Sequence, residues 1–167
     1  MPAELKNHQT GFTYLTVLFI VALMGLMLAT TGMLWHTAQM RQKEQDLLFI
    51  GNEYRKAIRL YYLNTPGSVK QYPRDLSDLL KDPRQATVSR YLRKIYHDPV
   101  TGSTDWGIVR SLDGGIAGIY SRSDTPPVKT ANFSKADADF KDKEKYSEWR
   151  FTYLADPLNS QSPMRKP

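Results

Sequence analysis

Length, charge and cysteine content limit what this chain can be. Its 167 residues suffice for one domain with an appended segment. The 23 Lys and Arg residues are interspersed with the 17 Asp and Glu residues, and this mixed pattern predicts a solvated surface and no nucleic-acid partner. The sequence contains no cysteine, which excludes disulfides, thiolate catalysis and thiolate metal sites in it.

A polar leader is followed abruptly by an apolar segment, in KNHQTGFTYLTVLFIVALMGLML, with the border at Gly11. Residues 12–35 carry no charge, and about twenty apolar residues of helix cross a bilayer, so we predict a membrane-spanning helix there. A buried core helix is disfavoured, since so small a domain could hardly cover it. A cleaved signal peptide is disfavoured by the length of the run.

Charged residues flanking the apolar segment bear on its orientation. Lys6 precedes the segment, whereas Arg41 and Lys43 follow it. Because Lys and Arg favour the cytoplasmic side, charge counting alone mildly favours a cytoplasmic C-terminal end.

The short leader, Gly11, Phe12 and the unbroken apolar run resemble the N-terminus of type IV pilin-like proteins, including the pseudopilins of type II secretion systems. The resemblance implies that a prepilin peptidase cuts on the cytoplasmic side between Gly11 and Phe12, and that Phe12 is then N-methylated. Residues 1–11 are then the leader, and residues 12–35 first anchor the subunit in lipid and later pack in a filament core.

Small and polar residues within the apolar run bear on assembly. Gly25, Ala29 and Gly32 would allow helices to approach closely, although they also suit any membrane helix. Thr16 occupies the position where the pilin-like family usually has a glutamate that meets a neighbour's terminal amine. Its absence is associated in the family with minor subunits, notably at a filament tip, so the resemblance favours a minor component.

Beyond the apolar run, residues 36–63 continue the helix in amphipathic form. Apolar side chains recur there at steps of three and four residues, which predicts one helix from Phe12 to about Leu63 with Gly51 as a weak point. The periodic positions are Leu47, Ile50, Tyr54, Ala57, Ile58 and Tyr61.

Residues 64–167 are predicted to form a periplasmic α+β globular region with a flexible C-terminus. Asp75 and Asp78 suit the capping box of a short helix, and SRYLRKIYHDP suggests another helical turn. WGIVRSL and GIAGIYS flank Asp113-Gly114, which predicts a β-hairpin, and SEWRFTYL (147–154) alternates as a third strand. The predicted fold is a long N-terminal helix packed on a small antiparallel sheet of about three strands.

The succession YP..L..LL, RYLR..Y.DP.TG and DWG.V also looks like the globular region of certain secretion pseudopilins. With the N-terminus, the resemblance covers residues 8–125.

Candidate chemistry is sparse, and we predict no enzyme. His97, beside Asp98-Pro99, is expected to be a turn residue, and Asp105 is expected to fix the entry to a strand. We expect no cofactor. Because some pseudopilins bind calcium through a late loop, the weak metal candidates are Asp137, Asp139 and Asp142, whose neighbouring lysines oppose a dication.

The expected function is a pseudopilin of a type II secretion system, a single-pass protein of the bacterial inner membrane that assembles into a periplasmic pseudopilus. Its implied partners are other pseudopilins, prepilin peptidase, the inner-membrane assembly platform and membrane lipid. The alternatives are a minor pilin of a type IV pilus or DNA-uptake filament and, more remotely, a single-span membrane-anchored enzyme or binding module.

Overall fold

In the computed structural model the backbone is described for residues 10–85 and 87–155, and the side chains for residues 12–27, 37–85 and 87–155. The chain divides into two compact units, Met1–Gln39 and Met40–Pro167. The second unit has the predicted α+β fold, in which the later part of the N-terminal helix packs against a three-stranded antiparallel sheet.

Helix α1 runs without a break from Thr10 to Leu63. Within residues 10–27, 37–85 and 87–155, no helix contains a stretch both long and apolar enough to cross a membrane. Residues 28–35 of the predicted spanning segment lie outside the described side chains.

The second half of α1 buries one face, because its apolar residues recur every three or four positions and so lie on one side of the helix. Five of the six positions predicted from this spacing are buried, and Ile50 is half-buried. The buried five are Leu47, Tyr54, Ala57, Ile58 and Tyr61.

Arg84 secures the end of α1. Its guanidinium donates to the Tyr61 carbonyl oxygen at 3.0 Å and to Thr65 Oγ1 at 2.8 Å, and lies 3.5 Å from the centre of the Tyr61 ring. Asp82 holds it in place, accepting from Nε and Nη2 at 2.8 Å each. A cation here satisfies the free carbonyls of the last helical turn and complements the helix dipole.

The sheet has strands β1 (Gly107–Arg110), β2 (Ile116–Tyr120) and β3 (Phe151–Thr152) in the order β1-β2-β3. The predicted hairpin is confirmed, and Gly114 takes a φ of +81° in its turn, a conformation that glycine adopts without steric cost. The third strand is shorter than predicted, because Tyr146–Glu148 forms a 3-10 turn directly before it.

Two short segments between α1 and the sheet were predicted to be helical. The first is confirmed as a 3-10 helix, Leu76–Leu79, with the capping box formed by Asp75 and Asp78. The second prediction, over 89–99, is wrong. Its backbone N–H groups are engaged at long range, those of Tyr91 and Leu92 by the Leu79 carbonyl at 2.9 Å each, so they do not build a helical ladder.

The core lies between the buried face of α1 and the sheet, and aromatic rings dominate it. Trp149 stacks on Phe140 with ring centroids 5.3 Å apart and planes 4° from parallel, while Phe151 meets Phe140 edge-on at 5.0 Å. In the same core, the Tyr54 ring packs against the Trp106 ring with centroids 5.6 Å apart. Aromatic pairs in these geometries add stabilisation beyond the area that they bury.

Candidate functional site

The first unit presents an apolar helix surface, formed by residues Phe12–Met27 of α1. Every side chain in this range is exposed, and fourteen of the sixteen residues are not threonine, serine or charged. Phe12 is 80% exposed and Leu26 69% exposed. Exposed apolar patches of this size on soluble proteins mark sites that contact a partner or a membrane.

The predicted processing site lies at the beginning of α1. Gly11 and Phe12 are its second and third residues, and the Phe12 side chain is among the most exposed of the large apolar side chains. The surroundings of Gly11 lie outside the residues whose side-chain environment the structure describes.

Thr16 satisfies its own hydroxyl within the helix. Its Oγ1 donates to the Phe12 carbonyl oxygen at 2.8 Å, one turn back. A threonine hydroxyl bonded in this way needs no partner from another molecule, whereas a carboxylate at the same position would need one in lipid or in a protein core.

Of the small residues predicted to permit close helix approach, only Gly25 lies within the described side chains. A Cβ built on Gly25 meets nothing within 4 Å, so its surface is open to an incoming helix. Ala29 and Gly32 lie outside the described side chains.

The three candidate calcium ligands are not brought together. Asp137 faces inward, with its Oδ1 accepting from Arg55 Nη1 at 2.8 Å and its Oδ2 accepting from Ser134 Oγ at 2.7 Å, whereas Asp139 and Asp142 are exposed. Across residues 12–27, 37–85 and 87–155, no group of three or more His, Asp or Glu side chains could hold a metal ion. Asp137 therefore serves as the ion-pair partner of the helix.

The residues weighed for catalysis have structural surroundings. His97 is exposed, and the neighbouring Asp98 is buried, accepting from Ser121 Oγ at 2.6 Å and from the Val100 N–H at 2.9 Å. Asp105 is exposed and lies 3.3 Å from Arg122, a residue that follows β2.

A buried glutamate, Glu44, was missed by the sequence reasoning. It is 3% exposed, and its Oε1 accepts from the Val128 N–H at 2.6 Å, the Lys129 N–H at 2.9 Å and the Tyr146 hydroxyl at 2.9 Å. The signal was present, because residue 44 lies three positions before Leu47 and so falls on the apolar face of α1.

Burial raises the pKa of the Tyr146 phenol above its ordinary value, and the hydrogen bond to the Glu44 carboxylate raises it further. Tyr146 therefore keeps its proton and remains a donor to Glu44 across the neutral pH range. One oxygen of Glu44 therefore holds both the Tyr146 side chain and the backbone of Val128 and Lys129 against α1.

Beside this contact lies a groove of about 340 Å³, which we call the Glu44 groove. Helix α1 forms one wall and the segment after Pro127 forms the other. The lining residues are Arg41, Glu44, Gln45, Leu48, Val128, Lys129, Thr130 and Ala131.

No protein-family model, curated protein or solved structure matches the chain.

Proposed function

We propose that this protein is a filament subunit, a pseudopilin of a type II secretion system, held in the bacterial inner membrane by residues 12–35 before assembly. The observation that carries the proposal is the apolar helix surface. Its exposed residues belong to the same continuous helix whose later residues are buried in a folded unit.

An apolar helix exposed on all faces must be covered either by lipid or by other helices. In the proposed cycle, prepilin peptidase removes residues 1–11, Phe12 becomes the methylated N-terminus, and lipid covers the apolar helix surface. An ATPase-driven assembly platform then extracts the subunit, and helices of neighbouring pseudopilins replace the lipid. The growing periplasmic pseudopilus pushes cargo outward through an outer-membrane channel.

Thr16 supports a minor rather than a major position in this filament. Because its hydroxyl is bonded to the Phe12 carbonyl oxygen, it offers no charge to a neighbour's terminal amine. Such a subunit suits a filament end, where one of its two axial neighbours is missing.

Co-expression with a prepilin peptidase tests the proposal. The expected result is a mass decrease corresponding to residues 1–11, with a methyl group on Phe12, and no decrease in the Gly11→Lys variant. Gly25→Ala is the control, since it replaces a glycine of the same helix, keeps the apolar segment uncharged and leaves the cleavage site intact. An unchanged mass of the wild-type protein would contradict the proposal and favour a plain membrane anchor on an enzyme or binding module.

Neighbouring genes separate the two filament classes. A secretion ATPase and an outer-membrane channel beside the gene are expected for a pseudopilin. A pilus retraction motor there would instead indicate a minor pilin of a type IV pilus or DNA-uptake filament.

A further inference from the structure

Residues 126–144, which we call the covering loop, lie between β2 and the 3-10 turn that precedes β3. The two ends of this loop are bonded to each other at its base. The Tyr146 N–H donates to the Thr125 carbonyl oxygen at 3.2 Å, and the Ser147 N–H donates to the Ser123 carbonyl oxygen at 3.0 Å. Because these bonds close the loop at its base, the loop can move without pulling β2 and β3 apart.

The covering loop has little backbone bonding to the rest of the fold. Within residues 40–85 and 87–155, no backbone–backbone hydrogen bond joins the loop to a residue outside it. Its backbone forms short local turns instead, such as the bond from the Lys141 N–H to the Ala138 carbonyl oxygen at 3.3 Å. Segments attached in this way open at a lower free energy than paired core strands.

Side chains of α1 hold the covering loop at two places. Glu44 Oε1 accepts from the Val128 and Lys129 N–H groups at 2.6 Å and 2.9 Å, and Arg55 Nη1 donates to Asp137 Oδ1 at 2.8 Å. The Glu44 groove lies beside the first attachment, so the loop is not packed tightly on α1 there. Each attachment therefore depends on a single carboxylate.

The covering loop lies over a buried tryptophan. Phe140 stacks on Trp149 with ring centroids 5.3 Å apart, and Phe133 meets Trp149 edge-on at 5.4 Å. Both phenylalanines belong to the loop, and Trp149 is fully buried. Opening of the loop would therefore expose the Trp149 ring to solvent.

Trp149 carries an unsatisfied hydrogen-bond donor in this buried position. Its Nε1 has no partner among the described residues, whereas the Nε1 of the buried Trp106 donates to the Tyr96 carbonyl oxygen at 2.8 Å. A buried donor without an acceptor is costly, and water would satisfy it once the loop is open. The closed arrangement thus carries a cost that opening removes.

We infer that the covering loop is a lid that detaches from α1 as one unit, while α1 and the sheet stay folded, and so uncovers the aromatic surface of Trp149. The opening breaks the bonds of Glu44 to the loop N–H groups and the ion pair of Asp137, and it hydrates the Trp149 indole N–H. The lid switches the folded unit between a covered and an uncovered aromatic surface. This inference does not depend on the filament function, because all of its contacts lie within the unit Met40–Pro167.

Hydrogen exchange of the indole N–H groups tests the lid. The full-length protein, labelled with ¹⁵N-tryptophan, is transferred into D₂O in maltoside micelles at several low urea concentrations. The Trp149 indole is expected to exchange at least about tenfold faster than that of Trp106, with a weak dependence on urea, because local opening exposes little surface. Equal rates with an equally steep urea dependence for the two indoles would overturn the proposal.

The backbone amides of Val128 and Lys129 test whether the lid moves as one unit. Both amides are released when their bonds to Glu44 break, so their exchange should give about the same opening constant as the Trp149 indole. Exchange of these two amides without exchange of the Trp149 indole would show that only one end of the loop frays, and would overturn a concerted lid.

Variants test the two attachments. Glu44→Gln is expected to speed the exchange of the Trp149 indole about tenfold, because it weakens bonds that opening breaks. Glu53→Gln is the matched control, since this half-buried glutamate lies on the same helix, and it should leave the rate unchanged. An unchanged rate in Glu44→Gln would refute the role of Glu44.

The second attachment keeps the test decisive should Glu44→Gln fail to fold. Arg55→Met removes the cation of the Asp137 ion pair and is expected to speed the exchange of the Trp149 indole more than about tenfold. An unchanged rate in this variant would show that the ion pair persists in the open form and would overturn the detachment of the loop from α1.

Discussion

Gly51 offers a sharp test of how α1 packs on the sheet. It lies on the buried face of the helix, and a Cβ built there would lie 2.4 Å from three atoms of the Phe151 ring. Replacing an ordinary helical glycine by alanine stabilises a helix by about 1 kcal/mol. At Gly51 we expect the opposite sign, because the added methyl group has no room.

The size of the effect follows from how far the ring must move. Carbon atoms in contact are normally about 3.5–4.0 Å apart, so the ring would have to retreat by more than about 1 Å. Phe151 is fully buried, and Phe140 packs against it with ring centroids 5.0 Å apart. Overpacking costs about 1–3 kcal/mol, and we take the upper half of this range because a fully buried ring must move by more than about 1 Å. After the gain of about 1 kcal/mol in helix propensity, we expect Gly51→Ala to lower the free energy of unfolding by about 1–2 kcal/mol.

The assay is urea unfolding of the full-length protein in maltoside micelles, followed by near-UV circular dichroism of the buried Trp106 and Trp149. Gly25→Ala is the matched control, because its Cβ meets nothing within 4 Å, and it should leave this transition unchanged. In the double variant Gly51→Ala/Phe151→Leu, the smaller side chain should relieve the clash, so its destabilisation should be less than the sum of the two single changes. A stabilised Gly51→Ala protein would refute the reasoning.

Two further predictions concern charged side chains that hold loops against α1. Arg55→Met should lower the free energy of unfolding by about 2–3 kcal/mol, because it leaves the buried Asp137 carboxylate without its cation. Arg122→Met, which breaks an exposed ion pair, should lower it by less than about 1 kcal/mol. Equal losses for the two variants in urea unfolding would contradict this prediction. The hydrogen bond from Arg84 lowers the pKa of Asp82, so this carboxylate stabilises the fold above its unfolded pKa near 3.8, and the stabilisation is lost as the pH falls through the lower folded pKa. Asp82→Asn should therefore show a shallower loss of stability than wild type between pH 5 and pH 2, and parallel curves would argue against the assignment.

Local patterns in the sequence predicted much of the fold. The period of the apolar residues indicated which face of α1 is buried, because that pattern depends only on helix geometry. Asp75-x-x-Asp78 and Asp113-Gly114 predicted a cap and a hairpin turn, since both depend on neighbouring residues alone. Where local patterns competed with distant partners, as over residues 89–99, the prediction of a helical turn was wrong.

Only the tertiary structure decided the roles of Glu44, Asp137 and Gly51. Glu44 bonds Tyr146 across 102 positions of sequence, and Asp137 pairs with Arg55 across 82, and no local pattern indicates such a partner. The sequence presented Gly51 as a weak point in a helix and Asp137 as a candidate metal ligand. The fold makes the first a point of close approach and the second a buried ion pair, because packing brings together side chains that lie far apart along the chain.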